Sequence, residues 1–173
     1  MEGPHRPGRA GSEPDARWLD ADEQRAWRAY LRMQGRLAAR LNRELQHESG
    51  LSLADYEVLV QLTDTPEARL RPFELQSGLQ WEQSRLSHHL SRMRRRGLVE
   101  REECSADGRG AFVVLTEKGR QAITAAAPGH VGVVRRFFFD GLTREEVAVL
   151  ERLTTRILDL LADSGAETGD DAG

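Results

Sequence analysis

The stretch WEQSRLSHHLSRMRRRGLVEREECSADGRGAFVVLT, residues 81–116, decides how the chain is read. Between Trp81 and Arg96 stand five arginines against a single glutamate. Wound as a helix at about 100° per residue, Leu86, Leu90 and Met93 fall on one side. Ser84, His88, Ser91 and Arg95 fall on the other, with Ser87 and Arg92 at the flanks. Such a helix docks by its leucines and presents hydroxyl, imidazole and guanidinium groups outward. Those groups bond phosphates and base edges, and a stripe of arginines favours polyphosphate in a salt-dependent way. Gly97 is expected to close this helix, which the spacing places at about 82–96. Two strands follow, at about 99–104 and 111–115. The turn between them, Ala106-Asp107-Gly108-Arg109-Gly110, is a hairpin signal.

Working outward, Pro72 opens a short helix over about 72–78, with Phe73 and Leu75 expected inward and Gly78 expected to end it. Short helix, tight turn and outward polar helix is helix-turn-helix order, and a hairpin directly after it makes a wing. Arg109 then stands at the wing tip, placed to enter a minor groove. Upstream, Ser52 and Asp55 have N-terminal cap spacing for a further helix, and residues 63–70 read as a loop. A long helix is expected over about 22–48, with Asp20 and Glu23 as a capping box and Gly50 as a stop. Downstream, Thr116 caps a helix running towards Phe139. Pro128 lies inside it and is expected to kink or break it, since a mid-helix proline costs roughly 3 kcal/mol. Thr143 with Glu146 starts a last helix, where Leu150, Leu153, Ile157, Leu158, Leu160 and Leu161 make an apolar face too wide for a lone surface helix.

The segments LADYEVL (53–59), SRLSHHLSRMRRRGLVER and DGRGAFVVLTEKG resemble the MarR family of bacterial winged-helix transcription regulators, over about residues 18–162. The resemblance implies a mainly α (α+β) fold: a winged helix-turn-helix core at about 51–116, with dimerisation helices at about 20–48 and 117–162. It implies a homodimer that binds double-stranded DNA. Two-fold symmetry then predicts an imperfect palindrome. A small dimer occupying a promoter is expected to repress, with activation left open, and a small aromatic effector is expected to relieve repression. Carried over by position, Ser84, Arg85, Ser87, His88 and Ser91 lie where the family reads the major groove. Asp107 and Arg109 match its wing Asp-x-Arg pair, with Asp107 orienting an arginine, Arg92 or Arg109, rather than touching DNA. Trp18, Trp27, Tyr30 and Met33 are expected first as core or dimer packing, and second as the lining of an effector cleft. The alternative function is a winged-helix dimer kept for protein contacts without DNA binding. A protein-contact face would centre on exposed aromatic or aliphatic anchors, which the outward set of residues 84–95 does not.

Composition bounds these readings. The 173 residues carry a formal charge of −3, so any basic surface must be local. Residues 1–17 and 163–173 are expected to be disordered tails, the second one acidic. A single cysteine, Cys104, suits a reducing cytoplasm, and no apolar run of membrane-spanning length occurs. Glu102 and Glu103 beside Cys104 disfavour a reactive thiolate. His88 and His89 diverge on a helix and cannot chelate one metal together. No nucleophile elbow, P-loop or dinucleotide fingerprint is present, so neither a cofactor nor enzyme activity is expected.

Overall fold

The computed structural model describes residues 17–103 and 110–166. In chain order the elements are α1 (Ala21–Ser49), α2 (Leu53–Thr63), β1 (Arg69–Leu70), α3 (Pro72–Leu79), α4 (Gln83–Arg95), β2 (Val99–Glu103), β3 (Ala111–Leu115), α5 (Glu117–Val134) and α6 (Arg144–Ala166). A single π-helical turn, Arg135–Phe139, continues from α5. None of the described helices is long and apolar enough to cross a membrane.

The chain divides into two units, Met1–Arg36 and Leu37–Gly173. Within the first, the described part is the start of α1. The Asp20 carboxylate accepts from the backbone N–H of Glu23, and Glu23 returns a bond to the N–H of Asp20, as the capping box predicts. Trp27 and Tyr30 stack at 5.6 Å between ring centroids. Trp18, Trp27, Tyr30 and Met33 are all exposed.

The second unit holds the core. Leu45, Leu51, Val58, Leu59, Leu62, Leu75 and Met93 are buried together with Val99, Val113 and Leu115 of the sheet. The strands form an antiparallel sheet in the order β1-β3-β2, with Val99 opposite Leu115 and Arg101 opposite Val113. On β3 the buried residues, Val113 and Leu115, follow the two-residue alternation of a strand with one face inward, whereas on β2 only Val99 is buried. Ser52 and Asp55 form a reciprocal capping box on α2, and the Thr116 hydroxyl accepts from the N–H of Gly119 to start α5. Thr143 and Glu146 do the same for α6. α4 ends at Arg95, and Gly97 follows with φ at +74°, a conformation that costs other L-residues.

Four expectations are corrected. Residues 69–70 form β1, although residues 63–70 read as loop, because two residues carry no periodic signal. Phe73 is 64% exposed rather than inward, and Leu75 with the partly buried Leu79 forms the inner side of α3. Gly78 does not end α3, whose left-handed cap is Gln80 at φ +53°. Gly78 instead gives room to α2, because a Cβ there would meet Gln61 Oε1 at 2.7 Å. Of the kink or break expected at Pro128, the break does not occur, since α5 runs through it to Val134. Pro128 and Thr124, whose carbonyl loses its helical donor, are both exposed, so water can satisfy that carbonyl.

α6 differs from the core. Only Val147 and Leu150 are half-buried among its residues up to Asp163, and Leu153, Ile157, Leu158 and Leu160 are exposed. Among the described residues, Leu153, Ile157, Leu158 and Leu160 keep much of their apolar surface open.

Candidate nucleic-acid interface

α4 is set by the turn before it. Gln80 reverses the chain, and the N–H of Trp81 bonds the carbonyl of Gln76 at 3.2 Å. Trp81 is thereby buried beneath α4. The His89 ring meets it edge-on at 5.3 Å, and the Arg85 guanidinium lies over it at 4.1 Å. Leu86, Leu90 and Met93 are buried along the inner side with His89. Ser84, Ser87, His88, Ser91, Arg92 and Arg95 are all exposed, as the winding predicts, and Arg85 is exposed beside them. Arg92, Arg94 and Arg95 fall in the last turn, where cations are favoured by the helix dipole.

The two flanks of that exposed strip have different surroundings. On one, Ser87 and Ser91 line a groove of about 520 Å³. Its other walls are Arg71, Phe73 and Gln76 at the start of α3, and Arg101 with residues 110–113 of the sheet. On the other flank lies a buried carboxylate. Asp55 is 3% exposed, and Arg96 Nη1 donates to its Oδ2 at 2.6 Å while Nη2 donates to the carbonyl of Gly50 at 2.7 Å. His89 Nε2 is 3.1 Å from Asp55 Oδ1, close but poorly aligned. Lys118 Nζ donates to the carbonyl of Arg96 at 2.7 Å. Burial alone would raise the Asp55 pKa. Contacts from His89, the Ser52 backbone, Arg96 and the Ser52 hydroxyl outweigh it and hold the carboxyl well below the usual carboxylate range. The carboxylate thus ties the start of α2 to Arg96 at the C-terminal cap of α4 and lies beside His89 within that helix.

Arg92 is part of this arrangement. Its Nη2 donates to His89 Nδ1 at 2.8 Å, so Nδ1 acts as acceptor and the ring proton belongs on Nε2, towards Asp55. Among the described residues, His89 is thus a partner of Arg92. Asp107, Arg109 and Cys104 themselves lie outside the described residues, as does the hairpin turn that carries them. No group of three or more His, Cys, Asp or Glu among the described residues is placed to hold a metal.

Two features escape a reading by local pattern. Asp55 and His89 belong to separate helices, so their pairing has no spacing signature; Asp55 reads only as a cap. Arg71 reads only as the residue before a helix-opening proline. In the fold its guanidinium sits 4.8 Å from the Phe112 ring centroid, on the wall of the groove.

Comparison with known proteins agrees with this geometry. The MarR family model matches residues 49–110, which span α2 to the start of the wing's second strand. AbsC, a MarR family transcriptional regulator from Streptomyces coelicolor, is similar with a TM-score of 0.80 and 40% identity, covering 86% of this chain and 99% of AbsC. Sco3205, a MarR family transcriptional regulator of the same organism solved in complex with DNA, gives 0.79 and 39%, covering 83% of this chain and 91% of Sco3205. The transcriptional regulator HosA from Escherichia coli is 32% identical over 115 residues, 65% of this chain and 82% of HosA.

Proposed function

The chain belongs to the MarR family of transcriptional regulators, DNA-binding proteins rather than enzymes, and from that premise we propose that it acts as a homodimer reading an imperfect palindrome. The observation that carries this reading is the exposed strip of α4. Ser84, Ser87, His88 and Ser91 stand opposite its buried leucines, backed by Arg85, Arg92 and Arg95. Hydroxyls and the imidazole read base edges, and the arginines hold phosphates. Arg85 and Arg92 start partly ordered, one on Trp81 and one on His89, so less conformational freedom is lost on binding. Arg109 contributes a minor-groove contact from the wing, with Asp107 orienting a neighbouring arginine.

The second copy covers the apolar stripes of α1 and α6, and two-fold symmetry places the half-sites about one helical turn apart. Occupying a promoter in this way represses transcription. A small aromatic effector relieves repression by preferring a dimer whose two α4 helices are spaced wrongly for DNA, with Trp18, Trp27, Tyr30 and Met33 available to line its site. The protein-contact alternative draws on one observation, the exposed Phe73. Selection of bound fragments from genomic DNA by the purified protein tests the reading. A recurrent inverted motif is the expected product, and a pool with no enriched sequence would count against it.

A further inference from the structure

In B-form DNA a single sugar–phosphate strand separates a major groove from the adjacent minor groove. With α4 in a major groove and the β2–β3 hairpin beside it, the crevice between helix and sheet must receive that strand. The crevice here is the groove of about 520 Å³, and its walls suit the task. Arg71, Arg94 and Arg101 line it, with Gln76 and Gln83 as further donors and Glu100 as the opposing charge. Arg101 is already shared with Glu103 at 2.8 Å, which leaves Arg71 and Arg94 as the cations of most consequence.

Arg71 is also held in place. Its backbone N–H donates to Glu74 at 2.6 Å at the start of α3. Its guanidinium lies over Phe112 and packs so closely on Gly110 that even an alanine methyl there would run into it. A guanidinium placed beside an aromatic ring carries its N–H donors in a fork, which suits phosphate oxygens. The geometry points to Arg71, acting with Arg94, as a clamp on the DNA strand that runs between recognition helix and wing. Neither residue belongs to the base-reading strip, and the assignment rests on the DNA-binding reading above.

A phosphate clamp has a signature that base readout lacks: it weakens all sequences alike and flattens the salt dependence. The test uses full-length protein and a labelled random-sequence duplex, then a duplex carrying the selected operator. Arg71→Ala is expected to weaken both by the same several-fold factor, and to make the slope of log affinity against log salt shallower by about 1 per subunit. Arg71→Lys keeps most of the slope but loses part of the affinity, because an ammonium does not stack as a planar fork. Arg94→Ala, remote from the α3 cap, gives the same uniform loss and decides the matter if Arg71→Ala fails to fold. An unchanged slope in Arg71→Ala and Arg94→Ala, or a loss confined to the operator, overturns the clamp while leaving the DNA-binding reading intact. Wild-type protein that binds neither duplex at low salt overturns both.

Discussion

The winged-helix core and the last helix are built from the same apolar periodicity and come to opposite ends. In the core Leu59, Leu62, Leu75 and Met93 are fully enclosed by the same chain. On α6 Leu153 is 39% exposed and Leu158 and Leu160 are each 64% exposed. A 3.6-residue period says that a face seeks burial; it does not say whose atoms will bury it. Contiguous apolar surface of this kind is uncommon on a chain that works alone. In the core the closing partners are the sheet and helices α2 to α5, with Leu45 of α1, whereas for α6 the proposed partner is another copy of the chain.

The largest test removes one side of the contrast. A chain ending at Asp140 lacks α6, and light scattering should find it monomeric while circular dichroism still finds the core folded. A folded dimer from that chain would break the contrast, because the interface would then lie elsewhere. Next in size, Leu59→Ala should cost about 2–5 kcal/mol in denaturant unfolding, as cavity-forming changes in cores do. Leu158→Ala should leave the unfolding of a monomer within about 0.5 kcal/mol and instead raise the concentration at which the dimer dissociates. Similar stability losses for the two would erase the difference between the regions.

A third prediction sharpens the account of the core's polar centre. Asp55 stays ionised in the folded chain far below the pH at which an unfolded carboxylate, near 4, takes up a proton. Its contribution is therefore complete above about pH 5 and is lost progressively as pH falls below about 4. Asp55→Asn should lower stability at neutral pH by about 1–3 kcal/mol and flatten the acid limb of stability against pH. An acid limb as steep as that of wild type would remove Asp55 from its cause. The smallest effect is expected from Gly97→Ala, about 1–2 kcal/mol, because its φ of +74° forces an L-residue into left-handed backbone. No change in the melting curve would mean the turn after α4 relaxes without loss.

Local signals in the sequence account for most of the architecture. Caps at Asp20, Ser52, Thr116 and Thr143 are read from side chains that bond their own helix ends, and the structure forms each of those bonds. The outward strip of α4 is equally accessible, because winding the sequence needs only the helical repeat. Which of those side chains touch DNA is a separate matter and stands as a proposal. What escapes a linear reading depends on contacts between separate elements. Gly78 lies against the end of the Gln61 side chain of α2, and His89, whose place beside the apolar side of α4 is legible from the winding, meets Asp55 of another helix there. Phe73 defies its apolar character by facing outward beside the groove. Pro128 sits at an exposed position inside α5 without ending it, and the irregular turn falls instead at Arg135–Phe139.

Hydroxyl-radical footprinting of the full-length protein on a selected genomic fragment is the most direct test of a paired reader of DNA. The account predicts two protected segments related by a dyad, with centres about one helical turn apart. A single unpaired protection, or uniform cleavage at low salt, would contradict it.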